Sequence, residues 1–136
     1  MKKLIMTAFL FCLVLYSFTV DVEKASAYYE CSTNETRCVD AKLTYGGGQY
    51  VASPSIYFAK GEVVSYSWEN DAPGIQHVAF WIEKDGSKVG STLYAARNAS
   101  DFNNYTIQTS GYYYLIGACA GGDDNRCSGG GRLSKW

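Results

Sequence analysis

Hydrophobic and polar residues alternate with a period of two along much of the chain. In residues 76–83 (QHVAFWIE), the valine, phenylalanine and isoleucine share one face, whereas His77, Ala79 and Trp81 share the other. Residues 62–69 (EVVSYSWE) alternate in the same way. A period of two is typical of a β-strand with one buried face. No stretch after the N-terminal region carries a helical apolar stripe, so the pattern predicts strands.

Turn-forming residues separate the alternating segments. A Lys60-Gly61 step precedes the strand at 62–69, and residues 71–74 (DAPG) form a turn that contains proline. Residues 84–87 (KDGS) are the clearest hairpin signal, because an Asp-Gly step suits the tight turns that join antiparallel strands. The turns therefore agree with the strand pattern.

The C-terminal third contains the stretch that is most typical of a strand. Residues 112–119 (YYYLIGAC) are rich in tyrosine and aliphatic side chains, which fit a pleated, half-buried surface. A Gly- and Asp-rich loop at 121–131 and a short terminal strand at 132–135 follow. With about eight strands and no helix to cover a parallel sheet, the pattern favours an all-β fold, either an antiparallel β-sandwich or a barrel.

The first 27 residues have the features of a secretory signal peptide. Lys2 and Lys3 give a positive start, residues 4–16 are almost all apolar, and residues 25–27 (ASA) suit signal peptidase. The apolar run is shorter than the roughly 20 residues of a membrane-spanning helix, and an uncleaved N-terminal anchor is the alternative. We expect a signal peptide at 1–27, a single domain at 28–136, and a secreted protein of bacterial origin with no membrane role after cleavage.

Four cysteines remain after this cleavage: Cys31, Cys38, Cys119 and Cys127. An even number in an exported domain indicates disulfides, and four cysteines allow three pairings. We favour the local pairs Cys31–Cys38 and Cys119–Cys127, since each closes one short polar loop. Pairing of the first strand with the last stays open. The spacing of a zinc site is absent.

Few residues are suited to catalysis or metal binding. His77 is the only histidine and could act as a general base, but no G-x-S-x-G nucleophile motif accompanies it. Asp123, Asp124 and Asn125 could offer oxygen ligands to calcium, although the EF-hand pattern is absent and acidic residues in such loops commonly cap turns. We expect no enzyme activity, no cofactor and no metal.

Aromatic residues are the most suggestive functional feature. The chain has 12 tyrosines, and all but Tyr16 follow the predicted signal peptide. Exposed flat rings can stack on sugars or anchor a protein partner. We take Trp81, His77, Trp68 and Tyr113 as candidate binding residues. The alternative is that a tyrosine-rich β-domain exposes some rings without a function.

Three segments resemble the small jelly-roll modules of exported bacterial proteins, such as prepeptidase C-terminal domains. They are residues 55–66 (SIYFAKGEVVSY), 80–86 (FWIEKDG) and 106–115 (TIQTSGYYYL). The resemblance covers roughly residues 55–118 and rests on turn-strand motifs. It implies an antiparallel β-sandwich of jelly-roll-like type and a noncatalytic binding or accessory role. The loop at 121–131 and the first cysteine pair are not part of the family pattern.

Three functions are therefore considered. The first is a secreted noncatalytic domain that binds a cell-surface polysaccharide or an extracellular protein. The second is a small secreted antagonist, either an antimicrobial toxin or an inhibitor of a secreted enzyme, and the third is a hydrolase that uses His77. The formal net charge is −1 without a basic cluster, which argues against nucleic acid as a partner.

Overall fold

The computed structural model describes residues 29–136, so the predicted signal peptide lies outside the described residues. No helix within 29–136 is long and apolar enough to span a lipid bilayer. This part of the chain holds nine strands and one 3₁₀ turn, Ala120–Gly122. The strands are β1 Cys38–Leu43, β2 Tyr50–Ala52, β3 Ile56–Phe58, β4 Val63–Asn70, β5 Val78–Lys84, β6 Ser87–Ala95, β7 Ser100–Thr106, β8 Gly111–Cys119 and β9 Gly129–Lys135.

The strands form two antiparallel sheets. The four-stranded sheet has the order β1-β9-β4-β7, and the five-stranded sheet has the order β2-β8-β5-β6, with β3 also paired to β8. β5 and β6 form the central hairpin; outward from it, β4 pairs with β7, β2 and β3 pair with β8, and β1 pairs with β9. This nested pairing of early with late strands is that of a jelly roll. The predicted all-β, jelly-roll-like sandwich is confirmed.

The core between the sheets is built from the alternating faces of β4 and β5. Tyr66 and Trp68 on β4 are at most 1% exposed, and Phe80 and Ile82 on β5 are fully buried. The ring of Phe80 contacts both aromatic residues of β4, with centroid distances of 6.1 Å to Tyr66 and 6.3 Å to Trp68. The alternation seen in the sequence of β4 and β5 therefore separates a buried face from a more exposed one.

The last strand begins earlier than the sequence predicts. Gly129–Gly131, expected in a loop, pair with both β1 and β4. A Cβ on Gly131 would lie 2.4 Å from Trp68 Cε3, and one on Gly130 would lie 2.4 Å from Tyr29 Cδ2. Glycine normally weakens a strand, but here aromatic rings pack against both faces of β9. The prediction of a loop was wrong for this reason.

Two disulfides close short loops at the ends of strands. Cys31 is bonded to Cys38, at the start of β1, and Cys119, at the end of β8, is bonded to Cys127. Cys119 and Cys127 are at most 1% exposed, whereas the first pair is partly exposed. Both local pairings favoured from the sequence are confirmed.

Candidate functional site

The outer face of the five-stranded sheet carries a group of aromatic side chains. The alternation that buries Phe80 and Ile82 turns Trp81 outward, and pairing between β5 and β8 places Tyr114 on the same face. We call this surface the tyrosine face, and it comprises Tyr50, Trp81, Tyr94, Tyr112 and Tyr114. Tyr50, Tyr94 and Tyr112 are 57%, 60% and 61% exposed. Such a broad exposed aromatic surface is more often found at interaction sites than on inert surfaces.

Glu83 holds two of these aromatic residues in place. Its Oε1 accepts a hydrogen bond from Trp81 Nε1 at 2.7 Å, and its Oε2 accepts one from the Tyr114 hydroxyl at 2.8 Å. The bond to Glu83 raises the pKa of Tyr114 above its ordinary value. The carboxylate therefore links an indole on β5 to a phenol on β8 and limits the rotation of both.

One row of paired residues crosses the tyrosine face. Tyr50, Ala118, Ala79 and Tyr94 are consecutive partners on β2, β8, β5 and β6. The two alanines that lie between the tyrosines are at most 3% exposed. With strands about 4.8 Å apart, the Cα atoms of the outer tyrosines lie about 14 Å from each other.

A second aromatic contact lies at the opposite end of β8. Tyr112 pairs with Tyr57 on β3, and the two rings meet edge to face at a centroid distance of 5.6 Å. Tyr57 is 49% exposed. Aromatic side chains thus occur along the whole length of the outer side of the sheet.

His77 lies exposed at the edge of the tyrosine face, just before β5. Its ring is 5.9 Å, centroid to centroid, from that of Tyr94. Within residues 29–136, no carboxylate or hydroxyl side chain is hydrogen-bonded to the His77 ring. A hydrolase would need His77 beside a nucleophile and an orienting acid, and the described part of the chain does not bring them together.

Two of the four predicted binding residues are buried. Trp68 is fully buried and packs against Phe80, and Tyr113 is 1% exposed with its hydroxyl donating to the Thr109 carbonyl at 2.5 Å. Both occupy the inward positions of their strands, so a surface-binding role for them was wrong. Trp81 and His77 are on the outer surface, and their role in binding stays a prediction.

The acidic loop before β9 is held together by its own side chains. Asp124 forms a two-oxygen ion pair with Arg126, with a shortest distance of 2.6 Å, and accepts a bond from Gln76 Nε2. The bonds from Arg126 are the main reason that the pKa of Asp124 lies well below its ordinary value. The Asp124 carboxylate of the predicted calcium candidate Asp123, Asp124 and Asn125 is therefore engaged inside the protein.

The described residues contain one group with metal-ligand geometry, Cys31, Glu35 and Cys38. The two sulfurs of this group form a disulfide. A disulfide sulfur is not a thiolate, which is the form that binds metal ions. This group is therefore a cross-link.

A pocket of about 320 Å³ opens on the outer face of the four-stranded sheet, on the other side of the sandwich. We call it the Glu69 pocket. Ser65, Ser67 and Glu69 reach it from β4, and Arg132 reaches it from β9. Aromatic and further polar residues complete its lining; they are Tyr29, Trp68, Ser100, Asp101, Phe102 and Trp136. Of these residues, the sequence had indicated only Trp68 as a candidate for binding.

Burial dominates the electrostatics beside this pocket. It raises the pKa of Glu69 above its ordinary value, with a further contribution from the nearby charge of Asp71. The pKa of Tyr29 is raised to about 12, first by burial and then by Asp71 and Glu30.

Sequence reasoning missed most members of the tyrosine face. Alternation in β8 already puts Tyr112 and Tyr114 on one face, so they could have been found from the period of two. Tyr50 and Tyr94 come from strands far apart in the chain, and only the pairing of β2 with β8 and of β6 with β5 brings them to this surface. No local pattern indicates that pairing.

No protein-family model matches the chain, and no curated protein is similar to it. Solved structures with a similar architecture include the pre-peptidase C-terminal domain of a collagenase from Bacillus anthracis, at 19% identity and a TM-score of 0.43, covering 71% of this chain and 85% of that domain. This chain is a small β-sandwich module weakly similar to pre-peptidase C-terminal domains. The resemblance expected from its sequence is confirmed.

Two further similar structures belong to polysaccharide-degrading enzymes. The CBM36-1 domain of a multidomain xylanase from the hindgut metagenome of Trinervitermes trinervoides is 19% identical, with a TM-score of 0.38 over 70% of this chain and 77% of that one. The C-terminal CBM6 of a marine laminarinase from Zobellia galactanivorans is 13% identical, with a TM-score of 0.37 over 75% and 94%. At such values the likeness concerns architecture alone.

Proposed function

We propose that the protein is a secreted, noncatalytic module that binds a cell-surface polysaccharide through its tyrosine face. The observation that carries the proposal is the arrangement around Trp81. Its partly exposed indole is oriented by Glu83, and exposed tyrosines lie on the same face. The occupant of this surface is then a sugar that is bound without undergoing a reaction.

The chemistry of a sugar ring matches this arrangement. One side of a pyranose presents C–H groups that stack on aromatic rings, and its hydroxyls need hydrogen-bond partners at the ring edge. Trp81 and Tyr94 supply aromatic surface, while Glu83 supplies acceptor atoms next to the indole. Because Glu83 already orients Trp81, little side-chain entropy is lost on binding.

Secretion is supported by the cross-links. Disulfides persist in oxidising compartments and are rare in reducing ones. The described domain has two of them, and a predicted signal peptide precedes it. We infer that the domain acts outside the cell.

Affinity electrophoresis against soluble cell-wall polysaccharides tests the proposal. The protein is purified after expression of the full chain and compared with Trp81→Ala. We expect at least one polysaccharide to retard the native protein, and the substitution to weaken binding about tenfold or more, as an aromatic hot spot of roughly 1.4 kcal/mol would. Glu83→Gln should give a smaller loss, because it keeps a side chain that can accept from the indole.

Tyr45→Ala is the matched control. Tyr45 is 44% exposed and lies in the loop between β1 and β2, outside the tyrosine face. The Tyr45→Ala variant should bind the polysaccharide as the native protein does. Equal loss for Tyr45→Ala and Trp81→Ala, or retention of full binding by Trp81→Ala, would argue against the tyrosine face as the site.

An extracellular protein is the second candidate ligand, favoured by the enrichment of Tyr and Trp at protein interfaces. Pull-down from cell-wall extracts before and after protease treatment separates the two. Capture that survives proteolysis of the extract supports the polysaccharide, and capture lost on proteolysis supports a protein partner.

A further inference from the structure

Three serine hydroxyls line the Glu69 pocket without a hydrogen-bond partner among residues 29–136. They belong to Ser65 and Ser67 on β4 and to Ser100 on β7. All three residues are at least partly exposed, so a ligand in the pocket can reach them. Each hydroxyl can both donate and accept a hydrogen bond. The lining therefore offers polar groups that the described part of the chain does not itself use.

Two exposed aromatic side chains flank β4 in this pocket. Phe102 on β7 is the direct partner of Ser67, and opposite residues of an antiparallel pair share one face of the sheet. Trp136 follows β9, the other neighbour of β4, and its backbone N–H donates to the Val63 carbonyl at 3.0 Å. Both rings line the pocket and are 66% and 73% exposed. Aromatic surface and hydroxyl groups are thus combined in one cavity.

Charged side chains of both signs line the same pocket. They are Glu69, Asp101 and Arg132, and Arg132 also lies 3.6 Å from a carboxylate oxygen of Glu35. An anion would meet the carboxylates and a cation would meet the guanidinium, so an ionic ligand is repelled by one group or the other. A neutral ligand with several hydroxyls avoids this repulsion, because it can donate to a carboxylate and accept from a guanidinium.

We propose that the Glu69 pocket binds a single neutral sugar residue, which packs its C–H groups against Phe102 and Trp136 and exchanges hydrogen bonds with the three serine hydroxyls. The volume of about 320 Å³ is at the small end for ligand pockets and suits one ring better than a long chain segment. A free monosaccharide and the terminal residue of a glycan carry the same chemistry. The pocket and the tyrosine face lie on opposite sides of the sandwich, so each can bind without the other.

Titration of the purified protein by two-dimensional NMR tests the proposal. The probes are the methyl glycosides of glucose, galactose, mannose and N-acetylglucosamine, and cyclohexanol is the matched ring with one hydroxyl. We expect saturable shifts of the Phe102 signals and of the Trp136 indole N–H with at least one glycoside, with a dissociation constant on the order of 1 mM. Cyclohexanol should bind about tenfold more weakly or less, because it can make fewer hydrogen bonds.

A linear tetrasaccharide that carries the preferred sugar at its non-reducing end distinguishes the two sources. Equal affinity for the tetrasaccharide and the methyl glycoside identifies the terminal residue of a glycan as the ligand. Binding of the glycoside without binding of the tetrasaccharide identifies a free monosaccharide.

Two variants locate the site. Ser67→Ala and Phe102→Ala should each weaken binding of the glycoside about three- to tenfold, through loss of a hydrogen bond and of the stacking surface. Ser67→Ala should fold as the native protein does, because the Ser67 hydroxyl has no partner among residues 29–136. Ser87→Ala and Tyr45→Ala are the matched controls, since both residues are exposed and lie outside the pocket lining, and they should leave binding unchanged.

Three results would overturn the proposal. They are equal binding of cyclohexanol and the glycosides, no binding of any glycoside, and shifts confined to the tyrosine face. The last of these would contradict the pocket while supporting the proposed function. Shifts confined to Phe102, Trp136 and their neighbours would instead support the pocket alone. The comparison of probes uses the unaltered protein, so it decides the question even if a variant does not fold.

Discussion

At the level of single residues, glycines make room for the largest ring in the core. Trp68 lies between the two sheets, where Gly131 on β9 and Gly117 on β8 approach its indole. A Cβ on Gly117 would lie 2.3 Å from Trp68 Cη2, well inside contact distance. The indole therefore fits here only because Gly117 and Gly131 have no side chains.

Gly117→Ala should destabilise the domain. The added methyl group has no space beside Trp68 and forces the ring or the β8 backbone to move, which typically costs about 1–3 kcal/mol. Urea unfolding followed by tryptophan fluorescence measures the change.

The matched control is the double variant Gly117→Ala with Trp68→Phe. The smaller ring should relieve part of the clash, so the double variant should lose less stability than the sum of the two single changes. Additive losses would mean that the methyl group does not clash with the indole.

At the level of elements, the Cys119–Cys127 disulfide joins the end of β8 to the chain that leads into β9. These strands belong to different sheets, so the cross-link ties the two sheets together at one end of the sandwich. The loop that it closes contains Asp124 and its ion pair with Arg126. Cross-link and ion pair together order a segment with little apolar content.

Replacing both Cys119 and Cys127 by alanine should lower the free energy of unfolding by about 2–4 kcal/mol. Cys31→Ala with Cys38→Ala is the matched comparison, because the sequence separations are 8 and 7 and the loop entropies are similar. The first pair of changes should cost more, since those sulfurs are buried in the core. Calorimetry of both double variants measures their losses of stability. A larger loss on removal of the Cys31–Cys38 disulfide would contradict the prediction.

At the level of the whole molecule, Glu62 connects segments that are distant in the chain. It accepts hydrogen bonds from Arg37 at 2.6 and 2.7 Å, lies 3.0 Å from Lys135 Nζ, and accepts one from the Ala59 N–H. The N-terminal segment, the turn before β4 and the end of β9 thus meet at one carboxylate. Bonds from Arg37 are the main cause of a pKa well below the ordinary value of 4.5.

This lowered pKa predicts a pH dependence of stability. The unfolded chain binds a proton at Glu62 near pH 4.5, whereas the folded protein resists it, so the contribution is complete above that pH and is lost as the pH falls towards the folded pKa. Glu62→Gln should flatten the decline in stability between about pH 4.5 and 2. Urea unfolding at a series of pH values measures the free energy of unfolding of each variant, and Glu30→Gln is the control. Parallel curves for the native protein and Glu62→Gln would refute the prediction.

The sandwich also separates two candidate ligand surfaces. The tyrosine face and the Glu69 pocket lie on opposite outer sides, with the shared core between them. Substitutions on one side should therefore leave the other unaffected.

The sequence by itself determined which side chains of a strand share a face. The period of two is local, so it placed Phe80 and Trp81 on opposite faces of their strand, and the strand and turn signals were enough for the all-β class. The short loops between cysteines likewise favoured the observed disulfides, because loop closure is a local property.

Only the tertiary structure decided which faces meet and which surfaces result. Pairing of β2 and β6 with the inner strands of their sheet brings Tyr50 and Tyr94 beside Trp81, although these residues are distant in the chain. Only the fold explains the glycines of β9, because the rings of Tyr29 and Trp68 occupy the space that a side chain would need. Long-range pairing leaves no periodic signal in the sequence, and so the tyrosine face and the Glu69 pocket emerged only from the fold.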